Sequence, residues 1–195
     1  MVASRSPQRR AILEALGVRF AVRPSQFEEI EQGDAVEVAV ANALGKAQAV
    51  VRAAGEVVLG VDTVVALGGR LHGKPATPDE ARATLAALSG ATHTVVSGLA
   101  LVDGAGERTA HAATAVTFRA LERSTVEWYV ATGEWRERAG AYAIQGAGSA
   151  LVERIDGDHS NVVGLPVATL LTLAPALLDG CNNRFAAADY GQLQP

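Results

Sequence analysis

The spacing of apolar residues predicts two helices in the first half of the chain. A short helix over residues 7–16 begins with a proline and ends at Gly17. A longer helical period follows the capping-box pair Asp34 and Glu37 and continues until Gly55. The first half therefore carries one short and one long helix.

Extended segments lie between and after these helices. Residues 1–3 leave room for only a very short first strand, and residues 18–22 are predicted as the next strand. The run LGVDTVVAL, residues 59–67, has the composition of a buried strand, and a glycine pair then turns it into a hairpin. At its centre lies Asp62, whose carboxylate costs several kcal/mol if it is buried without a partner. The sequence therefore requires a partner for Asp62.

Later elements continue this alternation and then depart from it. They are predicted in chain order as a helix over residues 77–89, strands over residues 92–102 and 108–118, a helix opened by Ser124 and Glu127, a strand over residues 150–155 and a last helix ending near residue 178. Because long strands also follow one another directly, the pattern favours an α/β fold, or α+β in looser usage, with a mixed sheet flanked by helices. We expect one domain over residues 1–178 and a loosely ordered tail over residues 179–195.

Composition is typical of a globular protein. The 195 residues are 49% hydrophobic, which is enough for a packed core, and no apolar run reaches the ~20 residues that span a bilayer. The N-terminus has no hydrophobic signal core, and a single cysteine, Cys181, allows no internal disulfide. We therefore expect a cytoplasmic protein without membrane contact.

The net charge of the chain limits the classes of ligand that it can bind. A net charge of −4 argues against a broad surface for nucleic acid, so an anionic ligand must be met by local cations. Seventeen basic residues include only two lysines, Lys46 and Lys74, and the other fifteen are arginines. An ammonium acts as a compact point charge on phosphate. Taken alone, however, two solvated surface lysines are the simpler interpretation.

Other motifs give weaker indications. The chain has no G-x-S-x-G elbow, and its single histidines are of the kind found in turns or at surfaces: His72, His93, His111 and His159. The stretch DGDH at residues 156–159 is more simply a tight turn than a metal loop. The glycines of IQGAG are similar to a phosphate loop but lack the Lys-Ser/Thr that follows one.

One constellation combines cations, acids and hydroxyls. Its members are Ser4, Ser6, Arg9 and Arg10 at a helix N-terminus, the acids Glu28 and Glu29, then Lys46, the pair Asp62 and Thr63, and Lys74. A helix N-terminus offers free N–H groups to phosphate, and acids beside lysines suit a metal–phosphate complex. Taken singly, none of these residues requires a function.

Several short motifs occur in a characteristic order. They read SRSPQRR at residues 4–10, FEE at 27–29, GKA at 45–47, GVDT at 60–63, GKP at 73–75, AGAYAIQGAG at 139–148 and ERIDGDHSNVVGLP at 153–166. This order closely resembles that of the Maf family of nucleoside triphosphate pyrophosphatases, and the resemblance covers nearly the whole chain to about residue 178. It implies a mixed α/β fold with two lobes around a central cleft, usually in a homodimer.

The resemblance also implies an activity and its residues. A nucleoside triphosphate would be hydrolysed to the monophosphate and pyrophosphate with a divalent cation, Mg²⁺ or Mn²⁺. Asp62 is implied as the proton acceptor, facing the cleft and not buried in apolar packing, with Lys46 and Lys74 near the triphosphate. Glu28 and Asp62 are implied as the acids that hold the metal. The residues implied in substrate binding are Ser4, Ser6, Gln8, Arg9, Thr63 and Gln145.

Two positions predict which nucleotide base the substrate carries. Thr63 after Asp62 and Gln145 in AYAIQG match the branch of the family that acts on dTTP and UTP, whereas the branch that prefers 7-methyl-GTP departs there. Gln145 offers a donor and an acceptor together, which suits the O4/N3 edge of uracil or thymine. Gln8 stands where the family has an arginine, which leaves CTP and modified pyrimidines open as substrates.

Three alternatives to this enzyme remain from the sequence. The first is a nucleotide-binding regulator of cell division that has lost turnover, since the family is associated with septum formation. The second is a 7-methyl-GTP pyrophosphatase, and the third is a purely structural domain. The presence of Asp62 together with both lysines argues against the regulator.

Overall fold

The structure of the protein, a computed structural model, describes residues 1–179 and contains one sheet. Its strands are β1 (Val58–Leu67), β2 (Arg70–His72), β3 (Thr92–Asp103), β4 (Gly106–Phe118) and β5 (Val152–Asp156). Their order across the sheet is β2-β1-β3-β4-β5, and each neighbouring pair is antiparallel. The predicted α/β class is confirmed. The predicted tail beyond Asp179, including Cys181, lies outside the described residues.

Parallel pairing is confined to the N-terminal residues within the described part of the chain. Val2 forms isolated parallel bridges with Leu59 and with Val22. The prediction of a strand over residues 18–22 is therefore wrong, apart from the single bridge at Val22. Its partner, residues 1–3, is too short to form a ladder.

Helices cover both faces of the sheet. Those within residues 1–179 are α1 (Pro7–Ala15), α2 (Ala35–Gln48), α3 (Pro78–Leu88), α4 (Arg123–Thr132), α5 (His159–Val163) and α6 (Val167–Leu173), with short 3₁₀ helices at Ala139–Ala141, Ala147–Leu151 and Pro175–Leu178. None of these helices has both the length and the hydropathy that crossing a membrane requires.

Side-chain caps determine most helix starts. Asp34 caps α2 as predicted, and Ser6 and Thr77 cap α1 and α3 in the same way. The start of α4 differs, because the helix follows Glu122 and has no side-chain cap. The Ser124 hydroxyl donates to the Glu122 carboxylate at 3.3 Å and does not accept from the backbone. The predicted cap by Ser124 and Glu127 is therefore wrong.

Two predicted helices are too long. The helical period after Asp34 was expected to reach Gly55, but α2 ends at Gln48; Val50 beyond it is still buried, whereas Val51 is 86% exposed and adds no packing to a longer helix. The last helix is interrupted before Pro175, whose missing N–H cannot continue the hydrogen-bond series.

The helix α2 approaches the sheet very closely. It packs on the face of β1 and β3 that carries Gly60 and Gly98. A Cβ atom on Gly60 would collide with the backbone carbonyl of Ala43, and one on Gly98 would collide with the carbonyl of Ala39. Glycine is therefore required at both positions, and backbone atoms determine the distance between α2 and the sheet.

On the face of the sheet opposite α2, the long strands join two hydrophobic cores, and a smaller core with Ala43, Ala47 and Val58 lies under α2 on the other face. The first core contains Leu13, Val61, Leu99, Leu165 and Leu170 and lies under α1 and α6. The second core contains Val65, Leu85, Val116, Phe118, Tyr129 and Trp135 and lies under α3 and α4. Each core buries its own apolar surface, so the sheet carries two lobes.

The boundary between the two cores falls in the middle of β1. Val61 belongs to the first core and Val65 to the second, and Asp62 and Thr63 lie between them. The edge of β1 is also open at this point, because the Val2 bridge ends at Leu59 and the β2 ladder begins only at Val65. The chain thus brings a polar pair to a gap between two lobes.

Replacement of Gly98 by alanine tests the close approach of α2. Gly98→Ala is expected to lower the free energy of unfolding by about 1–3 kcal/mol, because the new methyl group meets backbone atoms that cannot rotate away. Gly104→Ala is the matched control, since a Cβ atom there meets nothing within 4 Å. Urea unfolding of both variants measures the difference. Equal stabilities would contradict the close contact.

Candidate active site

Asp62 obtains its partner from α2. The Lys46 ammonium lies 2.6 Å from Asp62 Oδ1, and the Asn42 amide donates to Asp62 Oδ2 at 3.0 Å. Asn42 and Lys46 are one helical turn apart and so share the face of α2 that covers Asp62. Asp62 is only 4% exposed, but it lines a cleft and its carboxylate is held by polar partners and not by apolar packing.

The charges around Asp62 keep it ionised at neutral pH. Burial alone would raise the pKa of this carboxyl group, but the charge and hydrogen bond of Lys46 outweigh that effect. The hydrogen bond from Asn42 and the charge of Arg9 act in the same direction. The pKa of Asp62 therefore lies below its ordinary value of 3.8.

Glu29 brings a second carboxylate to the same ammonium. Its Oε1 lies 2.8 Å from Lys46 Nζ, and its Oε2 lies 3.8 Å from Lys74 Nζ. Asn42 fixes this segment because its side chain exchanges two hydrogen bonds with the backbone of Ile30, at 2.8 and 3.0 Å. Glu29 is thus held between the two lysines.

Arg9 connects α1 to β1. Its guanidinium donates to Gly164 O at 2.9 Å, to Ser4 Oγ at 2.9 Å and to Thr63 Oγ1 at 3.1 Å. Thr63 in turn shares a hydrogen bond of 2.9 Å with Ser97 on β3. Arg9 therefore holds Ser4, Thr63 and the turn before α6 in one arrangement.

These groups line a cleft of about 620 Å³ between the two lobes. Of the site residues predicted from the sequence, the cleft brings together Ser4, Ser6, Gln8, Arg9, Lys46, Asp62, Thr63 and Lys74. Glu28 and Gln145 are exposed and do not belong to the lining. Residues in the site that the sequence motifs did not single out include Asn42, Arg138 and Tyr142.

The cleft is locally positive although the chain is acidic. Its lining includes five cations and three carboxylates, namely Arg5, Arg9, Lys46, Lys74 and Arg138 against Glu29, Asp62 and Glu137. That local excess of two positive charges contrasts with a net charge of −4 for the chain. A concentrated positive field of this kind attracts polyanions.

One side of the cleft is apolar. Its wall consists of residues of the second core or packed against it: Val65, Val95, Ala139, Tyr142, Val162 and Val163. The Tyr142 hydroxyl shares a hydrogen bond of 2.9 Å with His93 Nε2. His93 is only 1% exposed, so its assignment to a turn or surface is wrong, and burial lowers its pKa to about 4. This histidine is therefore neutral at physiological pH.

The possible metal ligands in the cleft are few. Within residues 1–179, no group of three or more histidine, cysteine or acidic side chains is arranged to hold a metal ion. Glu29 and Asp62, joined through Lys46, are the pair of acids nearest to such an arrangement. The DGDH stretch joins the end of β5 to the start of α5, and Asp158 caps α5 by accepting hydrogen bonds from the Ser160 backbone and hydroxyl.

The fold and the cleft together define an α/β protein that holds an ionised carboxylate inside a cleft of net positive charge. Comparison with known families gives a match over residues 1–177 to the family described as Maf-like protein. The chain belongs to this Maf-like family, as its sequence motifs predicted.

Several curated relatives are similar over most of their length. A protein named dTTP/UTP pyrophosphatase from Gloeobacter violaceus is 48% identical over 177 residues, covering 89% of this chain and 93% of the relative. A protein of the same name from Moorella thermoacetica is 48% identical, in an alignment that covers 86% of this chain and 89% of the relative. Another from Pyrococcus furiosus is 42% identical, and that alignment covers 89% of this chain and 92% of the relative.

The effect of pH on stability tests the ionised state of Asp62. At pH 7, Asp62→Asn is expected to lower the free energy of unfolding by about 3 kcal/mol, because it breaks a buried ion pair. A lowered pKa means that this stabilisation is present above pH 3.8 and is lost as the pH falls through the pKa of the folded state. The difference between wild type and Asp62→Asn should therefore shrink below about pH 4.

The control for this measurement is a surface acid. The Asp79 side chain is 92% exposed, so Asp79→Asn is expected to change stability by no more than about 0.5 kcal/mol. Denaturant unfolding between pH 3 and pH 7 gives both differences. A stability gap for Asp62→Asn that stays constant through acid pH would contradict a titrating Asp62–Lys46 pair.

Proposed function

We propose that the protein hydrolyses nucleoside triphosphates to the monophosphate and pyrophosphate, with UTP and dTTP as its best common substrates. The observation that carries the proposal is the ionised Asp62 carboxylate, held by Lys46 inside a cleft of net positive charge. A polyanionic substrate fits the charge of the cleft, and the carboxylate supplies a base at its centre. The relatives named dTTP/UTP pyrophosphatase support the same activity.

Asp62 acts in this mechanism as a general base. It accepts a proton from a water molecule as that water attacks the α-phosphorus, the bond to the bridging oxygen breaks, and pyrophosphate leaves. A positioned base of this kind contributes roughly 10²–10⁴-fold to the rate. Because the pKa of Asp62 is low, the carboxylate is already ionised when the substrate arrives.

The cations of the cleft stabilise the charge that develops on the phosphoryl oxygens. Lys46 stands beside the base, and Lys74 lies on the other side of Glu29. Residues at the start of α1 also line the cleft, where a helix N-terminus favours phosphate. Contacts that strengthen as charge builds lower the barrier more than contacts that bind the ground state equally well.

A divalent cation, Mg²⁺ or Mn²⁺, belongs to the proposal. Mg²⁺ in proteins is normally held by one or two carboxylates together with substrate phosphates, and Glu29 and Asp62 fit that donor set. Glu29 takes the role predicted for Glu28, because Glu29 lines the cleft. A bound divalent cation would neutralise phosphate charge and make the attacking water more acidic.

Fewer contacts support the predicted preference for a uracil or thymine base than support the catalytic roles. Thr63 lines the cleft and is held by Arg9 and Ser97, which supports its predicted role in substrate binding. Gln145 stays a predicted base contact at an exposed position. Gln8 lies in the lining and accepts a hydrogen bond of 3.1 Å from the Ser6 hydroxyl.

The setting of the enzyme is also part of the proposal. We infer that it acts in the cytoplasm as a homodimer and binds neither nucleic acid nor membrane. The single cysteine and the net charge of −4 support the compartment and the lack of nucleic-acid binding. The homodimer rests on the resemblance to the Maf family.

A substrate panel tests the proposed reaction. UTP, dTTP, CTP, GTP, ATP and 7-methyl-GTP are compared by kcat/KM at equal Mg²⁺, with pyrophosphate as the detected product. UTP and dTTP are expected to rank first, and Asp62→Asn is expected to lower kcat at least ~100-fold while the variant remains folded. A purine in first place would overturn the base assignment. Binding without any product would instead indicate a nucleotide-binding regulator.

Lys74 provides a test of the cleft cations that leaves the fold intact. Its side chain is 48% exposed and its carboxylate neighbour is 3.8 Å away, so Lys74→Met should cost little stability. It is expected to lower kcat/KM for UTP by about 10–100-fold, because a charge-assisted phosphate contact is lost. Arg70→Met, an exposed cation of β2 outside the lining, is the control. Equal activities of both variants would show that Lys74 is merely a surface lysine.

A further inference from the structure

The segment after α4 reaches the cleft in a constrained backbone conformation. Glu137 and Ala141 have positive φ values of 59° and 61°, which residues other than glycine rarely adopt. Backbone hydrogen bonds fix the segment, with Arg138 N donating to Trp135 O at 3.2 Å and Gly140 N to Gly73 O at 3.2 Å. Such strain persists where surrounding structure enforces it, and it is concentrated at functional sites.

Arg138, in the middle of this segment, lines the cleft without a strong partner of its own. Its Nε is buried and has no hydrogen-bond partner, and its Nη1 donates only to Glu137 O at a long 3.4 Å. No ion pair to Arg138 is present among residues 1–179. Arg9, by comparison, makes three hydrogen bonds of 2.9–3.1 Å.

The neighbours of Arg138 indicate which part of a nucleotide it meets. Ala139 follows it directly and, with Tyr142, belongs to the apolar wall of the cleft. An apolar wall accommodates a base better than a triphosphate. Lys46 and Lys74 pair with Asp62 and Glu29, so the cleft already has cations for a triphosphate apart from Arg138.

We propose that Arg138 is a specificity-determining residue whose guanidinium donates to a carbonyl oxygen of the substrate base. The proposal rests on the proposed function and names a contact that selects the base within it. Uracil and thymine carry carbonyl oxygens at C2 and C4, whereas adenine carries none. A buried, unpartnered N–H group is costly, and a carbonyl acceptor seated against the apolar wall offsets that cost.

The test compares variants of two arginines on the same segment. Arg138→Met removes the guanidinium, and Arg138→Lys retains the charge without the planar donors. Arg136→Met is the matched control, because Arg136 is exposed, lies 4.6 Å above the Trp135 ring and is not part of the cleft lining. Thermal unfolding shows whether each variant is folded.

Three ligands separate a base contact from a phosphate contact. UTP is measured by kcat/KM, ATP as a substrate and as a competitive inhibitor of UTP hydrolysis, and inorganic triphosphate as an inhibitor. Arg138→Met should lower kcat/KM for UTP about tenfold or more and change the ATP and triphosphate constants less than about threefold. Arg138→Lys should recover only part of the UTP loss, and Arg136→Met should resemble wild type.

Other outcomes overturn the inference in distinguishable ways. Equal losses for UTP, ATP and triphosphate would assign Arg138 to the phosphates. Unchanged kcat/KM for UTP in folded Arg138→Met and Arg138→Lys would show that Arg138 does not contact the substrate. If wild-type protein neither hydrolyses nor binds UTP, the proposed function fails together with this inference, whereas the first two outcomes leave the proposed function intact.

Discussion

The ion pair between Asp62 and Lys46 is the interaction on which the rest of the site depends. It joins the middle of β1 to α2 in the protein interior, where either charge alone would be costly. Asn42, on the same helical face, binds the Asp62 carboxylate and the backbone of Ile30, and the preceding Glu29 reaches Lys46. One face of one helix therefore positions the buried carboxylate, the cation beside it and a second acid.

The cleft exists because the face of the sheet opposite α2 carries two hydrophobic cores that do not merge. On the face of β1 opposite α2, Thr63 and its partner Ser97 interrupt an otherwise apolar stripe between Val61 and Val65. Continuous apolar residues there would favour packing the two lobes together. The polar interruption instead gives Arg9 a hydrogen-bond acceptor in Thr63, and this hydrogen bond holds α1 beside the cleft.

The sequence predicted most of the elements and most of the cleft, and its failures have physical causes. Asn42 was missed although it lies four residues before Lys46, a spacing that places both on one helical face. The neighbours Glu28 and Glu29 lie in an irregular segment, where no periodicity indicates which side chain turns inward. Arg138 belongs to a segment whose path depends on tertiary contacts. Helix ends and a single-bridge strand likewise depend on packing partners outside the local pattern.

The two glycines beneath α2 also bear on the distance between the ionic partners. Main-chain carbonyls of α2 rest directly on Gly60 and Gly98, so at these two positions no side chain lies between the helix and the sheet. Around them the small side chains of Ala43 and Ala47 pack against the strands. The separation of Lys46 on the helix from Asp62 on the strand is therefore set first by two residues that carry no side chain.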